Sequence, residues 1–324
     1  MNVLSLFDGM SCGQIALTNL GCFPDKYYAS EVDKFAIQQT HHVFPDTIHI
    51  GDITRVDVSK LDKIDLIIGG SPCQSFSFAG KQAGMATTEN IEITDLDQYL
   101  DLKIMGFEFT GQSYLFWEYM RILTEVRKYN PDVKFLLENV VMSKKWEAVL
   151  TNAIGVEPVK INSNLVSAQN RKRLYWTNIA QITQPEDEGV FIRDILEDDV
   201  DEKYYVSDKG LEGMINREKT KRFSARIVSP DGKANTLCVS HESRDHSLIV
   251  ANGKKAVTDG KSIGITEALQ NGGKLRRLTP VECARLQTVP DWYEWVVSDT
   301  QIYQMCGNGW TVRVIEHILK NLFV

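Results

Sequence analysis

The chain has 324 residues, 43% of them hydrophobic and 24% charged, with a net charge of −7. That profile sets aside a disordered or fibrous chain and leaves room for about two globular domains. Residues 1–8 run directly into an apolar strand without a basic leader, and no apolar run approaches the roughly 20 residues that cross a bilayer, so neither a signal peptide nor a membrane segment is expected.

In chain order, Val3–Phe7 reads as a strand and Gln14–Leu20 as a helix closed by Gly21. Lys26–Ser30 follows as a strand and Lys34–His42 as a helix. Ile64–Ile68 and Val133–Leu137 are short apolar runs of the buried-strand type, with helical periodicity over Leu115–Tyr129 between them. Strands alternating with helices predict βαβ units and a mostly parallel sheet in an open α/β fold. Residues 82–112 break the rhythm, with a short helix over Asp95–Lys103 and loop elsewhere. A connection of that length is functional or disordered, and its place just after Cys73 favours a mobile lid.

Composition changes at 181–202, where nine acidic residues face one basic residue. The next 75 residues are short segments punctuated by Asp231-Gly232, Asn252-Gly253, Asp259-Gly260 and Gly272-Gly273. A smaller β or irregular domain is expected over 181–275, inserted into a unit formed by 1–180 and completed by 276–324. Helices are expected again at Pro280–Leu286 and Thr311–Leu319. Residues 203–277 hold 15 Lys/Arg against 8 Asp/Glu. A basic segment in an acidic protein is the footprint of a phosphate-binding face, although a solvated surface has the same composition.

The cysteines at 12, 22, 73, 238, 283 and 306 form no Cys-x-x-Cys pair, which argues against a zinc site or a disulfide framework and for a reduced, intracellular protein with no metal. One of them, Cys73, stands in Gly70-Ser71-Pro72-Cys73-Gln74, a stiff turn at the end of a buried strand. The carboxyl ends of parallel strands are where an open α/β sheet does its chemistry, whereas a lone cysteine is ordinarily a packing residue. Phe7-Asp8-Gly9-Met10-Ser11-Cys12-Gly13 is a glycine turn between strand and helix, Glu31 follows the second strand, and Asp52 is placed to end a third. Each acid also reads as a plain surface acid; three in order after three strands point to a nucleoside-containing cofactor. Glu138 closes another buried strand, as a helix cap or as a carboxyl group facing the crevice of Cys73. In an extended segment Gln169, Arg171 and Arg173 share one face.

These residues resemble the DNA cytosine-5 methyltransferase family over nearly the whole chain. Ser71-Pro72-Cys73-Gln74 is similar to its Pro-Cys nucleophile loop, Glu138-Asn139-Val140 to its Glu-Asn-Val motif and Gln169-x-Arg171-x-Arg173 to its Gln-x-Arg-x-Arg motif. Arg277-Leu278-Thr279-Pro280-x-Glu282 resembles the segment after target recognition, and Gly307-Asn308-Gly309 the closing cofactor motif. The family's Phe-x-Gly-x-Gly-Gly is here Phe7-Asp8-Gly9-Met10-Ser11-Cys12, closer to the animal de novo enzymes and to phage and bacterial relatives.

The resemblance implies a Rossmann-like methyltransferase fold that binds S-adenosylmethionine and no metal. The implied cofactor residues are Phe7, Gly9, Met10, Ser11, Cys12, Glu31, Val32, Asp52, Ile53, Pro72, Leu115, Asn308, Trp310 and Thr311. Cys73 is implied to add to carbon 6 of a flipped-out cytosine, with Glu138 on the ring nitrogen and amino group and Arg171 at the base carbonyl. Gln74, Ser75, Gln169, Arg173 and Thr236 are implied to approach DNA. Double-stranded DNA is the expected partner of a monomeric chain in a bacterial cytoplasm, with a cognate restriction enzyme as a further candidate. A tRNA-modifying branch shares these motifs, but its Cys-Phe-Thr tripeptide is missing here. A silent DNA-binding homologue has no chemical need of Cys73, Glu138 and Arg171 together.

Overall fold

The computed structural model describes residues 1–73, 76, 84–219, 228, 230–238, 248–251 and 274–323. Two compact units divide the chain. The first comprises Met1–Ile161, Lys172–Gln184 and Ile315–Val324, and the second Asn162–Arg171 and Pro185–Val314. The second unit is therefore larger than the expected insertion at 181–275. It takes in 162–171 and 276–314, because Ser167 and Gln169 both donate to the Leu286 carbonyl.

The first unit is built on a seven-stranded sheet. Its strands are β1 (Asn2–Leu6), β2 (Lys26–Ser30), β3 (Ile48–His49), β4 (Leu66–Gly70), β5 (Lys134–Val140), β6 (Val159–Asn162) and β7 (Lys172–Thr177). Their order is β3-β2-β1-β4-β5-β7-β6. The β1–β2, β1–β4, β2–β3 and β4–β5 pairs are parallel, and β7 runs antiparallel to β5. The central strands are apolar throughout, as strands covered on both faces must be. Leu66, Ile67, Ile68, Phe135, Leu136 and Leu137 are fully buried.

The helices α1 (Cys12–Asn19), α2 (Lys34–Val43), α3 (Leu96–Ile104), α4 (Phe116–Tyr129) and α5 (Lys144–Ile154) belong to the same unit. In α4 the buried residues Phe116, Tyr119, Met120, Leu123 and Val126 recur at helical spacing, a core-facing stripe. Trp146, Leu150 and Ile154 do the same in α5, which stops at Gly155 with φ 83°. Most expected boundaries move by one to three residues, two of them with a visible cause. Phe7 adopts φ 59° and leaves β1, while Leu115 sits in a 3₁₀ turn before α4.

The expected lid, over its described residues 84–112, is anchored to α4. Met85, Ile93 and Tyr99 are buried, and Tyr99, Phe109 and Tyr114 form an aromatic cluster. Glu118 of α4 is fully buried and receives Tyr99, Lys103 and Arg121, two cations and a hydroxyl from three turns of helix.

The second unit holds α6 (Asp208–Lys219), the antiparallel pair β8 (Leu248–Ala251) and β9 (Lys274–Arg277), α7 (Pro280–Leu286) and α8 (Asp299–Asn308). The unit boundary falls within the last helix, α9 (Val312–Leu319). A capping box starts α7: Thr279 Oγ1 accepts from the Glu282 N–H at 3.1 Å and Glu282 Oε2 from the Thr279 N–H at 2.8 Å. Glu282 also forms a two-pronged ion pair with Arg276, at 2.7 and 2.6 Å, with both residues buried. Among the described residues, no helix is long and apolar enough to cross a membrane.

Candidate active site

Between β1 and α1 the backbone takes a strained path. Phe7 (φ 59°), Gly9 (57°) and Ser11 (63°) are all left-handed, and two of the three carry side chains. Such residues cost on the order of 1–3 kcal/mol each and persist where surroundings impose them. Here the Ser11 N–H donates to the Asp8 carbonyl at 2.9 Å, and the Gly9 N–H to Glu31 Oε2 at 2.8 Å. A Cβ on Gly9 would meet nothing within 4 Å, so the space over this turn is open.

Glu31, one residue past β2, is organised by the backbone. Its Oε1 accepts the Val32 and Asp33 N–H groups at 2.7 and 2.8 Å, in addition to the Gly9 bond on Oε2. A carboxylate has about four acceptor sites, so a further donor fits. Asp52, past β3, spends Oδ1 on the Thr54 N–H and hydroxyl, both at 2.9 Å. Beneath the turn Asp8 is buried, with Oδ1 taking the Tyr27 hydroxyl at 2.9 Å and Oδ2 without a partner. Burial pushes its pKa up to about 6, against hydrogen bonds that pull it down.

Of the other expected cofactor residues, Met10, Ser11, Cys12 and Ile53 have buried side chains. Val32 is 71% exposed. Pro72 and Leu115 are half-buried. The structure thus brings the Phe7–Cys12 turn to Glu31 by direct hydrogen bonding.

The Pro-Cys turn leaves β4 one strand away from the acid of β5, since Gly70 is paired in register with Glu138. Two hydrogen bonds fix that turn to β5. Asn139 Nδ2 donates to the Ser71 hydroxyl at 3.0 Å and to the Ser71 carbonyl at 3.3 Å, all in buried surroundings. The Phe76 N–H donates to the Cys73 carbonyl at 2.9 Å, and Cys73 itself is half-buried. Glu138 is buried and its Oε1 lies 2.8 Å from Arg173 Nε. The antiparallel register explains the pairing. Val140 faces Arg173 and Glu138 faces Tyr175, so acid and guanidinium are diagonal neighbours on one face. Asn139 and the Arg173–Glu138 pair were not separable from sequence as site features; the signal present was the Glu-Asn-Val motif itself.

Arg171, expected at the base carbonyl, spends its guanidinium on backbone acceptors. In the second unit its guanidinium donates to the carbonyls of Leu237 (3.0 Å), Gly307 (3.1 Å) and Gly309 (2.9 Å). The strand begins only at Lys172, so the alternation expected to align Arg171 with Arg173 does not reach it. Gln169 is also internal: Oε1 accepts the Leu237 N–H at 2.7 Å, so Gln169 and Arg171 hold the backbone on either side of the Leu237 Cα. Thr236 donates its hydroxyl to the Asn170 carbonyl at 2.7 Å. Thr311 donates to Gln287 Oε1 at 3.0 Å, Trp310 is nearly buried, and Asn308 is the last residue of α8. Gln74 and Ser75 lie outside the described residues.

The seven-stranded, mostly parallel sheet has the Rossmann-like fold of S-adenosylmethionine-dependent methyltransferases. The Dnmt2 methyltransferase of S. pombe shares it, with a TM-score of 0.68 and 19% identity, covering 100% of both chains. The model of the family C-5 cytosine-specific DNA methylase matches residues 1–101 and 161–324, and the chain belongs to that family. Type II methyltransferase M.NlaX of Neisseria lactamica is 30% identical over 331 residues, 99% of this chain and 95% of that protein. Type II methyltransferase M1.ScrFI of Lactococcus lactis subsp. cremoris is 30% identical over 322 residues, 91% of this chain and 71% of that protein. The chain is a DNA (cytosine-5-)-methyltransferase, with DNA as substrate and S-adenosylmethionine as the methyl source the family implies.

Proposed function

We propose that the enzyme methylates carbon 5 of a flipped-out cytosine in a specific duplex sequence, through a covalent bond from Cys73 Sγ to carbon 6. The observation that carries this reading is the register that sets the Pro-Cys turn one strand from the buried Glu138–Arg173 pair. Carbon 5 is a poor nucleophile until a thiolate adds at carbon 6 and makes the ring enamine-like. A free thiol has a pKa of about 8.5, so the attacking species needs a proton acceptor or a cation in reach. Glu138 holds the ring nitrogen and amino group and shares a proton as charge develops. Arg173, beside Glu138, takes the base-carbonyl role first read for Arg171. Once carbon 5 carries the methyl group, a water molecule takes the carbon-5 proton, the electron pair re-forms the 5,6 double bond, and Cys73 leaves as the thiolate. Extrusion of the base costs a few kcal/mol of stacking and pairing.

The Phe7–Cys12 turn fits the cofactor, since the space over Gly9 is open and Glu31 retains acceptor capacity. S-adenosylmethionine, when bound, supplies an electrophilic methyl group. Phe7, Gly9, Glu31, Val32, Asp52, Ile53, Pro72 and Leu115 line its place, with Glu31 taking the ribose hydroxyls and Asp52 the adenine amino group. Asn308, Trp310 and Thr311 keep the cofactor role that the family motif gives them. Target sequence is read by the 181–275 segment, with Thr236 toward the DNA backbone.

Purified enzyme is expected to become covalently attached to duplex DNA containing 5-fluorocytosine when S-adenosylmethionine is present. Cys73→Ser abolishes both attachment and methyl transfer and leaves cofactor affinity nearly intact. Methyl transfer by Cys73→Ser at the wild-type rate would sink the mechanism.

A further inference from the structure

The chain on either side of the segment after Cys73 is held against one side chain that no motif contains. Trp146 lies in the first turn of α5, six residues past the end of β5, and is only 5% exposed. Phe76, three residues beyond Cys73 and 1% exposed, packs on it with ring centroids 5.9 Å apart at 52°. From the far side Gly84 sits against the same indole: a Cβ built there would fall 1.8 Å from Trp146 Cζ2 and 2.0 Å from Cε2. Gly84 also has φ +71°, a conformation glycine adopts without strain. Its neighbour Met85 is fully buried. A further tie runs from the preceding residue of the helix, since Lys145 pairs with Glu92 of the same segment.

We infer that Trp146 is a positioning residue for methyl transfer: its indole pins the chain at Phe76 and again at Gly84, and so fixes where the Cys73 turn stands relative to Glu138. Two independent contacts on one ring carry this. Phe76 reaches the Cys73 turn directly through its N–H bond to the Cys73 carbonyl at 2.9 Å. Trp146 shares its chain segment with Glu138, so nucleophile turn and acid are referred to a common support. The inference rests on the reading of Cys73 as nucleophile and extends it to a residue outside the reacting set.

Misplacing a reacting group by about 1 Å costs on the order of 100-fold in rate. Trp146→Ala is therefore expected to lower kcat for methyl transfer, and the rate of attachment to 5-fluorocytosine DNA, by about 100-fold, with the Kd for S-adenosylmethionine changed less than about 2-fold. Trp146→Phe, which keeps a flat ring for both contacts, restores most of the rate. Gly84→Ala drives a methyl group into the indole while leaving Trp146 in place, so it tests the same anchor should Trp146→Ala fold poorly, and it too is expected to lower kcat. Wild-type kcat in both Trp146→Ala and Gly84→Ala, or a cofactor-affinity loss as large as the loss in kcat, overturns the inference. Should wild-type enzyme transfer methyl groups without forming an adduct, the nucleophile reading falls alone, and kcat in the same variants still decides for or against the anchor.

Discussion

Asp8→Asn offers the sharpest test of the strained turn under Gly9. Asp8 is buried, with one oxygen on the Tyr27 hydroxyl and the other unpartnered, and burial raises its pKa from the ordinary 3.8 to about 6. Glu31 adds to the rise, while Ser5, Ser11 and Tyr27 oppose it. The folded pKa lies above the unfolded one, so the native state holds more protons between them, and stability falls as pH rises through that window. The gap between 3.8 and about 6 corresponds to ~3 kcal/mol of destabilisation by ionised Asp8 at neutral pH, absent below both values. An asparagine keeps the acceptor for Tyr27 and cannot ionise, although its amide introduces a donor that itself needs a partner. The diagnostic is therefore the slope rather than the offset. Unfolding free energies from urea titrations of both proteins between about pH 4 and pH 7.5 are expected to diverge by ~3 kcal/mol in favour of the variant, with the divergence arising between about pH 4 and pH 6. Parallel profiles across that range would mean that Asp8 ionises as freely in the fold as outside it.

Other perturbations separate roles that the sequence merges. Arg173→Ala is expected to lower kcat of the folded enzyme by about 100-fold, besides the stability lost by leaving the buried Glu138 unpaired, whereas Arg171→Ala lowers the melting temperature through three orphaned carbonyls with the smaller effect on kcat; a larger kcat loss in Arg171→Ala than in Arg173→Ala would reverse our reading of the pair. Glu282→Gln breaks the buried pair with Arg276 and should cost about 3–5 kcal/mol in denaturant unfolding, most of it recovered by adding Arg276→Met. A cost under ~1 kcal/mol would show the pair to be dispensable. Glu118→Ala leaves Arg121 and Lys103 facing a void and is expected to speed proteolytic cleavage within residues 84–112 more than elsewhere; uniform cleavage rates would contradict the anchoring role.

The strands and caps were legible wherever local chemistry was unambiguous. Lys26–Ser30 and Pro280–Leu286 match their expected bounds, the second opening on the capping box of Thr279 and Glu282. The acid at Glu31 was legible too, because strand, turn and carboxylate follow in fixed order. What local pattern does not carry is where regularity begins. Arg171 and Arg173 are two residues apart, yet strand pairing starts between them, and one ends on backbone carbonyls and the other on Glu138. Trp146 was hidden for a related reason: with Leu150 and Ile154 it forms an ordinary apolar stripe, and its contacts to Phe76 and Gly84 are tertiary. The unit boundary at 315 likewise depends on distant contacts, such as that of Ser167 with Leu286.

The pairing of Gly70 with Glu138 has a consequence for how such an enzyme changes over time. Adjacent strands lie about 4.8 Å apart whatever connects them. The separation between the cysteine turn and the acid is thus a spacing of the hydrogen-bond ladder, independent of the number of residues linking β4 to β5. The number of residues between Gly84 and β5 does not by itself set that spacing, while Phe76 and Gly84, held on Trp146, are fixed points of the connection. Chain length beyond Gly84 is thus a quantity that the ladder spacing does not record.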